Sequence, residues 1–286
     1  MSNSAFRTAR WVLTCVAVIA LCPLHGQTLP SLKESFQELV QGETLSAKPT
    51  QDELSSLGKR VSAASPGEIR DALPWMIAAA ANADEVKRVY AFRALVGVGV
   101  RTDSPALLKE HIGDLVTLLA SSDAYVQRFA MIVLGSVQSR QAAPVLGLSQ
   151  ALVAFVKRAD RDLQAQLGAL GSLLEKWQEE PSVQDAVEGF LSRDLDVETR
   201  IQILLALGRG NARGRPVRFI DLIIAALGNP SIDVRTTAID VLSRSGTPAM
   251  VRAEPSLRKL IQEADQPEVV KSAARKALRD AGLSPD

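Results

Sequence analysis

Aromatic residues and cysteines are scarce in this chain of 286 residues. Phe, Trp and Tyr make up 4% of it and hydrophobic residues of all kinds 47%, so any core must be built mainly from aliphatic side chains. The only two cysteines, Cys15 and Cys22, lie within residues 1–26. If that segment is removed, the remaining chain has no cysteine, which excludes disulfide bonds and thiolate metal sites.

Residues 1–26 have the pattern of a secretory signal peptide. Basic residues precede an apolar run from Trp11 to Leu21, which is too short to span a bilayer. We predict cleavage after Gly26 and therefore an exported protein, periplasmic or extracellular, without a membrane span once the signal is removed. The absence of an N-glycosylation acceptor sequence favours a bacterial secretory route. A lipoprotein signal that uses Cys22 stays open as an alternative.

An excess of charge of either sign is also missing. Lys and Arg number 33 and Asp and Glu 32 in the full sequence, and loss of Arg7 and Arg10 with the signal leaves a balance of −1. Domains that bind nucleic acid usually present a strongly basic surface. The sequence therefore predicts no nucleic-acid partner.

The motifs of common catalytic and cofactor sites do not occur. There is no GxSxG nucleophile elbow, no phosphate-binding GxxxxGK or GxGxxG loop and no HExxH zinc motif. His111 is the single histidine outside residues 1–26, and a zinc site needs three or four ligands. We therefore predict no cofactor and no metal, and we place His111 on the surface of a helix.

Two pairs of acidic residues are the remaining candidates for catalysis. They are Glu179 with Glu180, and Asp194 with Asp196. Paired carboxylates can act as general acid and base when their environments separate their pKa values. Both pairs fall in predicted turns ahead of helices, where acidic side chains ordinarily cap the helix. We therefore predict that the protein is not an enzyme.

A helical spacing recurs along the chain, whereas the alternating pattern of β-strands does not occur. Three copies share a valine, an alanine and a leucine at intervals of four residues, which places the three side chains on one helix face. The copies are Val126, Ala130 and Leu134; Val234, Ala238 and Leu242; and Val270, Ala274 and Leu278. Because the copies are separated by 108 and 36 residues, they indicate a repeat of about 36 residues.

Each repeat contains two helices. Prolines start helices readily, and they mark the first-type helices at Pro66, Pro105, Pro144, Pro181, Pro216 and Pro248. The second-type helices end near Leu95, Leu134, Leu170, Leu207, Leu242 and Leu278. In the third repeat Asp162 and Gln166 occupy positions that are apolar in the copies above, so we expect this helix to be rotated or set slightly apart.

The segment before the first of these prolines predicts an N-terminal cap. Ser31 with Glu34, and Thr50 with Glu53, have capping-box spacing, so we expect two helices there. A terminal solenoid unit must present a polar outer surface to water. The predicted division is a signal peptide at 1–26, the cap at 27–65, the repeats at 66–282 and a short tail at 283–286.

The repeats resemble the HEAT-repeat family, in the compact form of bacterial HEAT-like proteins. The resemblance is carried by residues 123–135, 233–242 and 269–278 and extends over about residues 66–280. It implies an all-α fold, a right-handed α-solenoid of about six helical pairs plus the capping pair, in which neighbouring pairs bury one continuous core. Armadillo-like and other helical-pair repeats stay open, because the usual HEAT length is about 40–47 residues.

One basic side chain recurs directly after the valine position of the second-type helices. Its members are Arg88, Arg200, Arg235 and Lys271. The family resemblance implies that each pairs with an aspartate of the preceding turn. The aspartates in question are Asp84, Asp196 and Asp233. We therefore interpret the four basic residues as a structural ion-pair ladder, with a ligand-binding stripe as the alternative.

An arginine-rich loop follows the fourth second-type helix. Residues 208–218 contain three glycines and four arginines, which are Arg209, Arg213, Arg215 and Arg218. The planar guanidinium group suits carboxylates, and glycine lets backbone donors approach an anion closely. We predict that these four arginines bind an acidic partner surface. A solvated turn between helices is the alternative.

These features predict an exported scaffold or protein–protein interaction module that binds a protein or peptide on its concave face without catalysis. The family resemblance implies an alternative function. Some bacterial HEAT-like proteins look like lyase or chaperone-type subunits that handle a small molecule or a chromophore. No set of residues in the sequence identifies such a site.

Overall fold

The structure of this chain is a computed structural model. It describes residues 30–42, 48–140, 147–209 and 217–284. The regular structure in these ranges is helical, and they contain no strand. The chain divides into two compact units, the first ending at Leu148 and the second beginning at Ser149. The predicted signal peptide lies outside the described residues.

The described part of the first unit contains seven α-helices and one short 3-10 helix, Lys109–His111. The α-helices are α1 (Leu32–Gln41), α2 (Gln51–Ala63), α3 (Pro66–Ala80), α4 (Glu85–Gly99), α5 (Ser104–Leu108), α6 (Ile112–Leu118) and α7 (Ala124–Arg140). Helices α2, α4 and α7 pack side by side in one layer, and α1, α3, α5 and α6 form the other layer. The unit is thus a stack of helical pairs.

The described part of the second unit contains eight α-helices. They are α8 (Leu148–Lys157), α9 (Leu163–Lys176), α10 (Pro181–Leu191), α11 (Val197–Arg209), α12 (Val217–Ala226), α13 (Ile232–Arg244), α14 (Thr247–Gln262) and α15 (Glu268–Asp280). Helices α9, α11, α13 and α15 form one layer, and α10, α12 and α14 neighbour one another in the second. None of the described helices is both long and apolar enough to cross a bilayer.

Stacked helical pairs confirm the predicted all-α, α-solenoid fold. The N-terminal pair, α1 and α2, begins with both predicted capping boxes. The Ser31 hydroxyl accepts from the Glu34 backbone N at 3.2 Å while the Glu34 carboxylate accepts from the Ser31 backbone N at 2.8 Å, and Thr50 and Glu53 repeat this exchange. These bonds satisfy backbone donors that have no partner within the first turn of a helix.

The core lies between the two layers of each unit. All nine side chains of the three valine–alanine–leucine triplets are buried. Because each helical pair buries its apolar stripe against the next pair, no single pair supplies a core of its own. The helical spacing in the sequence therefore identifies the buried face correctly in both units.

The polar residues of the third repeat have structural roles that the sequence pattern did not indicate. The Asp162 carboxylate accepts from the Ala165 backbone N at 2.9 Å and so caps the start of α9. Gln166 is 2% exposed, and its amide donates to backbone carbonyl groups at the end of α8. Both side chains therefore form hydrogen bonds that stabilise helix ends in this repeat.

Candidate functional site

The predicted arginine-rich loop lies mostly outside the described residues. Arg213 and Arg215 fall in the range 210–216, of which nothing is described. Arg209 is the last residue of α11, and its side chain also lies outside the description. The binding of an acidic partner by this loop therefore stays a prediction.

Arg218, the fourth arginine of that set, is described and joins two first-type helices. From α12 its guanidinium contacts Asp185 of α10 at 2.8 Å and also contacts Glu188. These two carboxylates hold the pKa of Arg218 above its ordinary value. In the next repeat Arg252 of α14 contacts Asp221 of α12 at 2.5 Å. The same type of ion pair thus links α10 to α12 and α12 to α14.

The predicted basic ladder contacts backbone carbonyl groups. Arg235 donates to the carbonyl oxygens of Asn229 and Pro230 at 2.6 and 3.0 Å. The other three members of the ladder likewise donate to carbonyl oxygens that precede their own helix, at 2.8 to 3.5 Å. Most of these acceptors lie in the turn between two helices, outside the regular hydrogen bonding of either helix. The ladder residues donate to them from the helix that follows the turn.

This geometry corrects the aspartate partners that we expected from the resemblance. Asp196 accepts from the backbone N and the hydroxyl of Thr199 at 2.7 and 2.9 Å, so it caps α11. Arg200 donates instead to three carbonyl oxygens of the preceding helix end and turn. Arg88 does form an ion pair, but its partner is Asp123 at 2.9 Å, in the next repeat.

Two glutamines take the same structural role and were missed at the level of sequence. Gln127, which follows the valine of the second repeat, donates to the Ser121 carbonyl at 2.5 Å. Gln166 donates to the carbonyl groups of Phe155 and Val156 at 3.2 and 3.0 Å. The position requires a hydrogen-bond donor, and a positive charge is one of several ways to provide it. A search for donors at this position would have found Gln127.

The acidic pairs and the histidine lie at helix ends. The hydrogen bonds from Thr199 lower the pKa of Asp196 below its ordinary value, because they favour the charged form. Glu180 is the residue before the first turn of α10. His111 Nδ1 lies 3.3 Å from an oxygen of Asp114. Within the described residues no group of three or more His, Cys, Asp or Glu side chains is placed to hold a metal ion.

A cleft of about 430 Å³ lies among helices α10, α11, α12 and α13 of the second unit. Its two charged side chains already have partners, because Glu188 contacts Arg218 and Arg200 donates to carbonyl oxygens. Much of the remaining lining is aliphatic, including Leu191 and Leu204. The cleft therefore offers an apolar recess without a free charged group.

A second depression lies in the first unit, on the layer formed by α2, α4 and α7. We call it the N-terminal groove and define it by Leu54 and Lys59 of α2, Arg93 and Val96 of α4, and Tyr125 and Phe129 of α7. It consists of a recess of about 210 Å³ and a wider part of about 680 Å³. Arg93 and Val96 border both parts. The two parts therefore lie side by side, with Arg93 and Val96 between them.

An aromatic cluster forms one wall of the N-terminal groove. The ring centroids of Tyr125 and Phe129 are 4.4 Å apart, and that of Phe129 lies 5.3 Å from that of Phe92. Phe92 is fully buried, whereas Tyr125 and Phe129 are only partly covered. Such ring pairs form a rigid apolar surface. In a chain with few aromatic residues, this cluster brings three of them together beside an open recess.

Arg93 lies across the centre of the groove. Its Nε donates to the Leu54 carbonyl oxygen of α2 at 3.1 Å. Gly58 makes room for the guanidinium, because a Cβ atom at that position would lie 2.8 Å from Nη2 of Arg93. The charged group is therefore held close to α2 by the absence of a side chain there.

Comparison with known proteins identifies the repeats. Residues 183–279 match the family model of HEAT repeats. The matched residues include almost all of helices α10 to α15, so the ion pairs of Arg218 and Arg252 join successive helical pairs within the matched segment. The N-terminal groove lies before this segment. No protein in the curated set matches the chain.

A solved structure with HEAT-like repeats shares the fold. An archaeal HEAT-like repeats protein from Thermococcus onnurineus NA1 matches with a TM-score of 0.53 at 18% identity, covering 90% of this chain and 98% of that chain. Two engineered proteins match at 18% identity with TM-scores of 0.47 and 0.31. They cover 98% and 86% of this chain, and 80% and 96% of their own. At this identity the first likeness concerns the fold alone.

Proposed function

We propose that this chain is an exported, non-catalytic scaffold that binds a protein or peptide partner on its second-type helices. The observation that carries the proposal is the N-terminal groove, where Tyr125 and Phe129 are partly exposed beside Arg93. Aromatic side chains and arginine are the residues most often found at the centre of protein interfaces. Stacked helical repeats supply the extended surface that such binding uses.

The size of the recess favours a peptide or protein side chain over a small molecule. Small-molecule sites usually have volumes of about 300–1,000 Å³ and enclose most of the ligand. The recess beside Tyr125 has a volume of about 210 Å³, which is below this range, and it lies next to the wider part of the groove. Such a recess accommodates one side chain of a longer ligand. The alternative, a subunit that handles a chromophore, has no comparable support.

Export and the absence of catalysis belong to the same proposal. The signal-peptide pattern of residues 1–26 and the lack of cysteine after it support export. The structural roles of Asp196 and of the basic ladder support a non-catalytic protein, because Asp196 caps a helix and the ladder residues donate to backbone carbonyl oxygens.

Affinity capture from the extracytoplasmic fraction, followed by mass spectrometry, tests the proposal. We expect one stoichiometric protein partner that is lost with Phe129→Ser and with Arg93→Glu. Val251→Ser, at an exposed valine of α14, is the matched control and should retain the partner. Circular dichroism checks that each variant is folded. Recovery of a bound small molecule in place of a protein, or of no partner at all, would overturn the proposal.

A further inference from the structure

We infer that the N-terminal groove binds a linear acidic peptide segment of the partner, with one bulky apolar side chain in the recess and an adjacent carboxylate on Arg93. The inference rests on the proposed function and specifies the chemistry of its ligand. Two observations support it. The cations of the groove have no carboxylate partner among the described residues, and the geometry around Arg93 suits the binding of a carboxylate.

The cations of the groove have no carboxylate partner. Among the residues that the structure describes, no Asp or Glu oxygen lies within 4.0 Å of a side-chain nitrogen of Arg93 or Lys59. Arginines nearby are paired: Arg88 contacts Asp123 at 2.9 Å, and Arg101 contacts Asp103 at 2.8 Å. The groove therefore contains two cations that no carboxylate of the described residues neutralises.

Two acidic residues at the N-terminal ends of groove helices, Glu53 and Glu85, are already engaged. Glu85 of α4 lies 3.6 Å from Lys48, and Glu53 of α2 accepts from the Thr50 backbone N at 2.7 Å. Glu53 also accepts from the hydroxyl of Tyr90 at 3.5 Å. Because these carboxylates have partners, they do not neutralise the cations further along the groove. An acidic ligand is the complementary partner for this surface.

Arg93 is arranged to receive a carboxylate. Its Nε is occupied by the Leu54 carbonyl, whereas the structure shows no hydrogen-bond acceptor for its two terminal nitrogens among the described residues. The contact with Leu54 and the space above Gly58 fix the side chain before a ligand arrives. A guanidinium held in this way can bind a carboxylate through two parallel hydrogen bonds at a reduced entropic cost.

The recess defines the second feature of the ligand. Leu54, Val89, Tyr125 and Phe129 line it together with Arg93. Burial of an aliphatic or aromatic side chain there removes apolar surface from water on both partners. Because Arg93 borders the recess, the apolar residue and the acidic residue must be close together in the peptide.

A selection experiment with a random-sequence peptide library displayed on phage tests the inference. We expect the purified chain to enrich peptides in which Asp or Glu lies next to, or one residue from, a bulky apolar residue. The most enriched peptide is then synthesised with a fluorescent label, and its affinity is measured by anisotropy. Arg93→Ala should weaken binding by about tenfold or more, because a charge-assisted bidentate contact is lost.

Two further variants separate the specific contact from long-range attraction. Arg70→Ala removes an exposed cation from α3, outside the groove, and should change affinity by less than about twofold. Gly58→Ala retains every charge but forces the Arg93 guanidinium to move, and it should also weaken binding. Equal losses with Arg70→Ala and Arg93→Ala would overturn the inference.

The remaining outcomes are equally decisive. Enrichment of peptides without acidic residues, or no enrichment, would overturn the inference, as would sedimentation showing that a second copy of the chain occupies the groove. Preferential binding of single-stranded nucleic acid over the acidic peptide would also overturn the inference. If affinity capture recovers one protein whose binding survives Arg93→Ala and Phe129→Ser, the groove inference fails while the scaffold function stands.

Discussion

Gly246 adopts a backbone conformation that other residues rarely reach. Its φ of 88° and ψ of 172° lie at the residue before α14, in a region that is accessible almost only to glycine. We expect Gly246→Ala to lower the free energy of unfolding by about 1–3 kcal/mol. Urea denaturation followed by circular dichroism measures this change.

The matched control is Gly189→Ala in α10, where an added Cβ would meet no atom within 4 Å. Because alanine is the better helix former, this variant should be neutral or more stable by about 0.5–1 kcal/mol. Equal destabilisation by both variants would show that the conformation of Gly246 is not the cause.

Asp196 makes stability depend on pH. Hydrogen bonds from the Thr199 backbone and hydroxyl lower its pKa below the ordinary 3.8 in the folded state. The contribution to stability is therefore complete above the unfolded-state pKa and is lost as pH falls through the folded pKa. Asp196→Asn retains a capping oxygen but does not titrate, so its unfolding temperature should fall less between neutral and acid pH.

Thermal unfolding across that pH range measures the effect of Asp196→Asn. Asp194→Asn removes a carboxylate from the same turn and is the control. An acid dependence that is identical in Asp196→Asn and the unmodified chain would contradict the assigned role of the cap.

At the scale of single residues, the sequence identified positions more reliably than partners. Arg235 was predicted to form an ion pair with an aspartate, whereas the structure shows contacts with backbone carbonyl groups of the turn before its helix. Its partners are the carbonyl oxygens of Asn229 and Pro230, because the turn directs unsatisfied acceptors at the guanidinium. Every residue has a backbone carbonyl acceptor, so the sequence does not show which acceptor an arginine will contact. An aspartate, in contrast, can be recognised in the sequence.

At the scale of elements, Gln166 connects α9 to the end of α8. We expect Gln166→Leu to destabilise the chain by about 1–3 kcal/mol, because buried carbonyl groups of α8 lose their donor. Gln150→Leu, at an exposed position of α8, is the control and should have little effect. Chemical denaturation provides the measurement. If both variants are as stable as the unmodified chain, the carbonyl contacts do not contribute to stability.

Leu242 tests the register of the repeat. It is fully buried in α13, whereas its neighbour Ser243 is partly exposed. We expect Leu242→Ala to cost about 2–5 kcal/mol, because it removes buried side-chain volume between stacked helices, and Ser243→Ala to cost much less. Thermal unfolding by circular dichroism compares the two. Similar melting temperatures would refute the register.

Helices could be predicted from sequence because their apolar spacing and capping residues are local. Ser31 and Thr50 begin α1 and α2 as their capping boxes indicate, and Pro66 and Pro181 begin first-type helices. The 3-10 helix Lys109–His111 between α5 and α6 was not predicted. The apolar spacing continues across it, so this pattern alone does not show the break.

At the scale of the whole molecule, export remains to be tested. Expression in a bacterial host should yield an extracytoplasmic protein whose first residue is Gln27, as determined by mass spectrometry of the intact chain. Deletion of residues 1–26 should retain the protein in the cytoplasm, because the targeting segment is then absent. A product that begins with a lipid-modified Cys22 would support the lipoprotein alternative, and an unprocessed cytoplasmic chain would contradict export.

The sequence by itself determined the all-α repeat architecture and the buried faces, because the spacing of Val234, Ala238 and Leu242 is a local property that recurs in other repeats. Only the tertiary structure decided where Arg93 and Phe129 meet. These residues lie on different helices, and each looks like an ordinary helix residue in the sequence. Their shared groove exists because α2, α4 and α7 pack in one layer and leave an apolar surface and an unpaired charge open to solvent.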